Sequence, residues 1–496
     1  MQYLNAVSLG RAIGFKLINE HGERIKKTVK YQPSLFIPTK KQTKWRTHTV
    51  AGGPKCLERI KFSSMSEARK YVKDNEGMFP VYGNTRFEYP FISDFCDNNQ
   101  KGFPDLDAVR IAYFDIEVAS DSGFPDPSTA SNPVTAITIY FSHLKKFVVL
   151  GCKDYEPKDK SVLYVKCQSE SVLLSKFLDI WNNADFDIIS GWNSSFFDLP
   201  YIYNRISIVL GEGSANRLSP WESVYKRTVI IFGKEHESIS ISGIDCLDYL
   251  DLYKKFVLPA SDVKPENNRL NTVAHYELGT KKVDYSEYQS LDDLYDNDYE
   301  KFIDYNIQDV QILIDLEKKL EIIRMCIQLA YDARVNFQDV FSQVRMWDSI
   351  IFNHLKKENF VIPFKQDFDK EEKYEGAFVK EPQLGMHEWV TSFDLDSLYP
   401  NLILQFNISP ETIVRSDRET KVSLDDILTR KIDTEKLREK NVCVCGSGHM
   451  FRVDRQGFLP AIIGPMYEQR KEYKRKAQEG KQLLKEIDQE IQRRNL

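Results

Sequence analysis

The chain has 496 residues, 42% of them hydrophobic, and a formal net charge of −5. That length suits roughly three or four domains with sizeable cores, and the slight acidity excludes a protein coated all over by nucleic acid while leaving room for a local basic groove. Eight scattered cysteines do not make a disulfide framework and point to a reducing compartment; no stretch reads as a secretory leader, and none nears the ~18 apolar residues of a membrane span.

Residues 1–109 show short apolar runs broken by the turn signals NEHGER, AGGPK and VYGNTR, which predicts a strand-rich α/β region. GFPDLDAVR is a Pro/Gly joint. Beyond it IAYFDIEV, VTAITIYF, KFVVLGC and FDIISGW read as strands, with ESVLLSKFLDIWNNA as an amphipathic helix among them. Strands alternating with helix predict an α/β sheet domain. RTVIIFGKEHESISISG predicts a hairpin around GKEHE. Residues 292–335 carry a long helical pattern, and VIPFKQDFDKEEKYEGAFVKEP forms a second joint. WVTSFDLDSLYPNLIL then predicts a strand running into a helix, and residues 465–496 predict one charged helix.

Asp115 and Glu117 stand two apart in IAYFDIEVAS, so their side chains share one face of a strand. Two like charges side by side repel. Either the strand is a solvated edge, or a bound cation removes the repulsion. Asp198, in SGWNSSFFDLPYIYNRI, falls at a loop–helix junction. An N-cap is its alternative role, because Asp caps well and Pro200 suits the first turn. Tyr305 and Asp309, four apart in FIDYNIQDVQIL, share a helix face, where a solvated stripe is the alternative.

Taken in order, an acid-x-acid strand, an Asp at a loop–helix junction and a Tyr-x-x-x-Asp helix resemble the 3′–5′ exonuclease of DNA polymerases. The resemblance implies that Asp115, Glu117, Asp198 and Asp309 hold two Mg²⁺ or Mn²⁺ ions, hard cations that favour carboxylate oxygen, and that Tyr305 orients the attacking water. YEGAFVKEP followed by SFDLDSLYPNLI is similar to the start of a family B DNA polymerase palm, and MYEQRKEYK to the start of its fingers helix. LDYLDLYKKF, NISPETI and YQPSLFIP resemble the replicative polymerases of large tailed phages. The resemblance implies that Asp394 is one of two palm carboxylates binding two polymerase metals, with the Leu395 carbonyl as a further ligand. Ser397 and Leu398 N–H groups would cradle the triphosphate, Tyr399 would exclude a 2′-hydroxyl, and Arg470 and Lys474 would meet the triphosphate. The hairpin around Lys234 would help part primer from template.

The fold expected is therefore multidomain α/β. It would comprise an N-terminal domain (1–109, with 322–365 returning to it), an RNase H-like exonuclease domain (110–321), the first part of a palm (366–456) and the first part of a fingers helix (457–496). Two family motifs, K-x-x-x-N-S-x-Y-G and D-T-D-S, do not occur, and Asp396 stands where this branch often has a neutral residue. The expectation is the N-terminal half of a replicative polymerase, the product of a split gene or else a shortened form of a longer chain, with the split gene preferred. It would act on primer–template and single-stranded DNA with deoxynucleoside triphosphates, in the cytoplasm of an infected bacterial host and away from membranes. A second polypeptide would supply the remaining fingers, palm and thumb, and through it a sliding clamp. The alternatives are a stand-alone exonuclease and a non-catalytic nucleic-acid-binding regulator. CVCGSGH offers three zinc-type ligands without a second cysteine pair, so a β-turn is the better reading. TKKQTKWR offers charge and a stacking Trp45 for template or RNA.

Overall fold

The computed structural model describes all residues except 50–51, 100–101, 121–122, 124, 232–233, 262, 281–282, 284–285, 364–378, 415–423, 432–433, 446–448 and 495–496. It divides into two units: Met1–Pro33, Phe62–Lys70 and Thr85–Ile350 form the first, and Ser34–Lys61, Tyr71–Asn84 and Ile351–Leu496 the second.

The first unit is built on a six-stranded mixed sheet. Across it the strands run Val162–Lys166, Lys146–Gly151, Val134–Phe141, Ile111–Val118, Ile188–Ser190 and Asp245–Cys246. The last three are mutually parallel, and Ile111–Val118 pairs antiparallel with Val134–Phe141. Alternation divides the central strand. Ala112, Phe114 and Ile116 join a core cluster with Leu173, Leu174, Phe177, Leu178 and Trp181 of the Glu170–Ala184 helix. Those helix residues recur at the spacing of one apolar face, and Ser169 caps the helix by accepting the Val172 N–H. Phe114 and Phe177 stack with centroids 6.0 Å apart, so Phe114→Ala would cost about 3–5 kcal/mol. Tyr113, Asp115 and Glu117 point to the other face, towards the helix Tyr299–Leu320.

A three-stranded antiparallel sheet of Gln2–Ser8, Ile13–Ile18 and Arg24–Val29 completes this unit. The Glu88–Asn99 helix packs on it through edge-to-face contacts of Phe15 with Phe91 and Phe95, at 4.8 and 5.0 Å. The Tyr3 hydroxyl donates to the Val335 carbonyl at 2.8 Å, tying the helix Ile322–Ala333 and its exit to the first strand. Buried Lys16 is held by Asp185, Asp187 and the Phe186 carbonyl, which satisfies a charge that burial would otherwise penalise.

The long helical stretch of the sequence is three helices, Leu291–Asn297, Tyr299–Leu320 and Ile322–Ala333. Asp298 breaks the first join by capping the Lys301 N–H, and Glu321 breaks the second in a left-handed conformation at φ +49°. Three strands exceed or fall short of their sequence signals. Val162–Lys166 and Asp245–Cys246 form although their pattern is weak, and FDIISGW contributes only Ile188–Ser190.

The second unit contains a sheet in which Gly52–Lys61 lies between Ser34–Pro38 and Arg46–Thr49. Residues 360–361 dock on it, with Val361 N–H donating to the Arg46 carbonyl at 2.8 Å. The same unit holds the helix Leu398–Gln405, a small sheet of Ile413–Val414, Met450–Arg452 and Val442–Val444, and the helix Phe458–Arg494. Asn407 knits these together. Its amide donates to the Arg452 and Arg455 carbonyls at 2.6 and 2.8 Å, and its oxygen accepts Gly457 N–H at 2.8 Å.

Two expectations in this unit change. The terminal helix starts at Phe458 rather than 465 and runs through Pro465. Buried Pro460, Ile462 and Tyr467 anchor the helix at its start, and proline removes only one backbone bond there. The strand expected before Leu398 is not formed: residues 389–397 have no regular structure and are mostly exposed. A lone strand leaves its N–H and C=O groups unpaired, and no described strand lies beside this one. Among the described residues no helix is long and apolar enough to cross a membrane.

Candidate active site

Strand geometry brings the first two acids together. Asp115 lies opposite Thr138 and Glu117 opposite Ala136, and an irregularity follows directly, the next pair being Val118 with Val134. A bulge of this kind locally re-aims side chains at a strand end. Helix Tyr299–Leu320 lays Tyr305, Asn306 and Asp309, all buried, over the same face. One ligand oxygen from each of Asp115, Glu117 and Asp309 lies within 4.8 Å of the others. The donor set is entirely carboxylate oxygen, which suits an oxygen-preferring divalent cation, so this cluster can hold a metal.

Asp198 stands beside the cluster. The helix Asp198–Leu210 begins with it, but the cap position belongs to Phe197, which makes no side-chain cap bond. The Asp198 carboxylate reaches away from its own helix and accepts the N–H of Ile116, the residue between the paired acids, at 3.2 Å. Burial pushes this carboxyl up to about 7; the Ile116 hydrogen bond opposes the rise, and the charges of Asp248 and Asp309 add to it.

The loop that delivers Asp198 is fixed from beneath. Gly191 passes so close to the central strand that a Cβ there would sit 2.7 Å from the Phe114 carbonyl oxygen. Asp248 accepts the N–H groups of Asn193, Ser195 and Leu250 at 3.1, 2.8 and 3.0 Å. Burial raises its carboxyl to about 6 against those bonds.

Two further residues belong to the site. Asn306, fully buried, donates to Asp115 Oδ2 at 2.7 Å and faces Glu117 Oε1 at 3.5 Å. Thr138, also fully buried, donates its hydroxyl to Asn306 Oδ1. Asn306 was within reach of sequence reasoning, since it lies three residues before Asp309 and shares its helix face. Thr138 and Asp248 carried no such signal: register and chain return alone place them.

The predicted hairpin forms, Val224–Ile231 against Lys234–Ile241, but Lys234–Glu237, expected in the turn, pair within the second strand, and His236 meets Phe196 of the Asp198 loop edge-on at 5.8 Å. Residues 232–233 and the Lys234 side chain lie outside the described residues, as do residues 374–378 of YEGAFVKEP. CVCGSGH joins two antiparallel strands. Cys443 Sγ donates to the Phe406 carbonyl at 3.0 Å, and among the described residues the acid cluster is the one group of three or more metal-ligating side chains that converge. Trp45 is flanked by its own neighbours, with Lys44 Nζ and the Arg59 guanidinium 5.0 and 5.7 Å from its ring.

In the second unit Asp394, Leu395 and Tyr399 are exposed, Tyr399 by 75%. Ser397 adopts a left-handed conformation, φ +49°, at the cap of the Leu398–Gln405 helix. Arg470 Nη1 donates to Ser397 Oγ at 3.3 Å, and the Tyr467 hydroxyl donates to Asp396 Oδ2 at 3.2 Å. Lys474 is exposed one turn beyond Arg470 on the same helix.

Two family descriptions match this chain: DNA polymerase family B, exonuclease domain, over residues 86–273, and DNA polymerase family B over residues 338–493. The chain thus carries two family B DNA polymerase domains. It is similar to the DNA-directed DNA polymerase of Escherichia phage RB69, with 33% identity over 95% of this chain and 53% of that protein. The corresponding protein of Enterobacteria phage T4 is 32% identical over 96% of this chain and 54% of its own length. A DNA polymerase of Archaeoglobus fulgidus is 26% identical over 75% of this chain and 40% of its own. The chain thus spans about half the length of the curated phage relatives it matches. Asp115, Glu117 and Asp198 fall inside the family B exonuclease match and Asp394, Arg470 and Lys474 inside the polymerase match. Tyr305, Asn306 and Asp309 fall between the two.

Proposed function

We propose that this chain is the N-terminal half of a replicative DNA-directed DNA polymerase, carrying a 3′–5′ proofreading exonuclease and the first part of the polymerase site. The observation that carries the reading is the meeting of Asp115, Glu117 and Asp309 oxygens within 4.8 Å, with Asp198 bonded to the residue between the first two. In this reading Asp115, Glu117, Asp198 and Asp309 hold two Mg²⁺ ions. When bound, such ions lower the pKa of a water and take up charge on the leaving oxygen. Tyr305 orients the attacking water through its hydroxyl, the loop held by Asp248 fixes Asp198, and the hairpin helps guide a frayed 3′ end away from its template. The substrate is single-stranded DNA or the primer end of a primer–template, in the cytoplasm of an infected bacterial cell.

For synthesis, Asp394 and the Leu395 carbonyl serve as metal ligands, and the N–H groups of Ser397 and Leu398 meet the triphosphate. Arg470 and Lys474 neutralise its charge, and Tyr399 blocks a 2′-hydroxyl. We propose that a second polypeptide supplies the other palm carboxylate, the remaining fingers and the thumb, and through them a sliding clamp. Leu384, Met386, Trp389, Val390 and Phe393 support this: all are at least 76% exposed, an unusual apolar run for a free surface. The domain division proposed is 1–109 with 322–365, 110–321, 366–456 and 457–496.

The test is a 5′-labelled oligonucleotide incubated with the chain and Mg²⁺. Stepwise shortening from the 3′ end, lost on Asp115→Ala with Glu117→Ala, is the expected result. Shortening that persists in the double variant overturns the site.

A further inference from the structure

The paired acids pose a problem that the fold addresses before any cation arrives. Asp115 and Glu117 occupy one strand face, and a water-poor setting strengthens their repulsion. Asn306 sits over them with no access to solvent, one amide hydrogen on Asp115 Oδ2 at 2.7 Å and the other turned to Glu117 Oε1 at 3.5 Å.

An asparagine amide is two-faced. Its nitrogen end donates and its oxygen end accepts, and a half-turn exchanges them. Only the nitrogen end can serve two carboxylates; the oxygen end would add a third negative dipole to the cluster. What selects the correct face is Thr138, whose hydroxyl donates to Asn306 Oδ1. Thr138 is placed for this by register, directly across the ladder from Asp115. A hydroxyl can itself accept, but with the amide reversed Asn306 Oδ1 would lie against Asp115. The Thr138 contact and the carboxylates therefore favour the same orientation.

We propose that Thr138 and Asn306 are positioning residues for the exonuclease metals: Thr138 locks the Asn306 amide so that it aims both Asp115 and Glu117 as metal ligands. The inference rests on the exonuclease reading of this site and names residues outside its ligand set. Asn306 contacts the two carboxylates and Thr138 contacts Asn306. Their effect passes through the geometry of the two carboxylates, as partners behind metal ligands generally act.

The experiment measures Mn²⁺ binding by electron paramagnetic resonance, with the Asp115→Ala/Glu117→Ala chain as baseline and melting in EDTA as the control for folding. Thr138→Val keeps shape and removes the hydroxyl; Thr138→Ser keeps the hydroxyl. The expected result is Mn²⁺ affinity weakened about tenfold in Thr138→Val and in Asn306→Ala, with Thr138→Ser close to wild type and melting within a few degrees throughout. A purely structural role would shift melting in EDTA and leave affinity alone. Should Asn306→Ala fail to fold, the Val and Ser pair carries the test. Wild-type affinity in Thr138→Val overturns the proposal while leaving the ligand set intact. Equal Mn²⁺ binding in wild type and the double alanine chain overturns the site reading itself.

Discussion

Asp248 Oδ2 accepts the backbone N–H of Ser195 at 2.8 Å, so a residue 53 positions downstream sets the path of the loop that delivers Asp198. The same carboxylate also holds Asn193, which sits at φ +66°, and Leu250. Asp248→Ala takes the acceptor away from three backbone donors, the Leu250 N–H buried and those of Asn193 and Ser195 part-buried. The expected loss is roughly 2–4 kcal/mol of unfolding free energy, read from urea denaturation, together with loss of nuclease activity. A variant of wild-type stability would show that the loop holds itself.

Asp245 gives the first unit a pH dependence. Burial, and then the charge of Asp339, raise its carboxyl to about 7; hydrogen bonds from Phe337 N–H and the Asn5 amide oppose the rise. The folded chain therefore favours the protonated form. Its contribution to stability is complete below the unfolded carboxyl pKa of about 4 and is lost as pH rises through 7. The limiting slope is about 1.4 kcal/mol per pH unit. Asp245→Asn should flatten the fall in urea midpoint between pH 5 and 7.5, and a slope unchanged from wild type contradicts the assignment.

Tyr305 and the acids should separate by magnitude. Asp115→Ala with Glu117→Ala removes charge that the metals need and should cost about 10³-fold or more in nuclease rate. Tyr305→Phe removes one hydroxyl and should cost about 10²-fold or less. Single-turnover rates on a labelled single strand read both, and a larger loss for Tyr305→Phe would reverse the assigned roles.

These residues differ in how far the sequence revealed them. The acids were legible because their spacing has physical meaning: two apart on a strand, four apart on a helix. The helix Glu170–Ala184 was legible because its buried positions keep a helical period and Ser169 marks its start. Thr138 and Asp248 were not, because each acts on a distant residue through pairing or chain return, which local patterns do not encode. Asp245–Cys246 is too short for alternation to register. The strand expected before Leu398 failed for the opposite reason: its pattern is clear, but a strand needs a neighbour, and residues 389–397 have none among those described.

Sugar selection tests the second unit. In a reconstituted polymerase, Tyr399→Ala should raise incorporation of ribonucleotides by at least about tenfold, the effect of losing steric discrimination of 1–3 kcal/mol. Primer extension with ribonucleotides measures it, and unchanged selectivity would remove Tyr399 from its proposed place.

The central proposal is a proofreading site in the first unit and the first part of a synthetic site in the second. The most direct measurement is a 5′-labelled primer–template incubated with this chain, Mg²⁺ and all four deoxynucleoside triphosphates. The account predicts primers shortened from the 3′ end and none extended, with extension restored when a second chain bearing the remaining fingers, palm and thumb is added. Templated extension by this chain alone, or shortening that survives Asp115→Ala with Glu117→Ala, would contradict it.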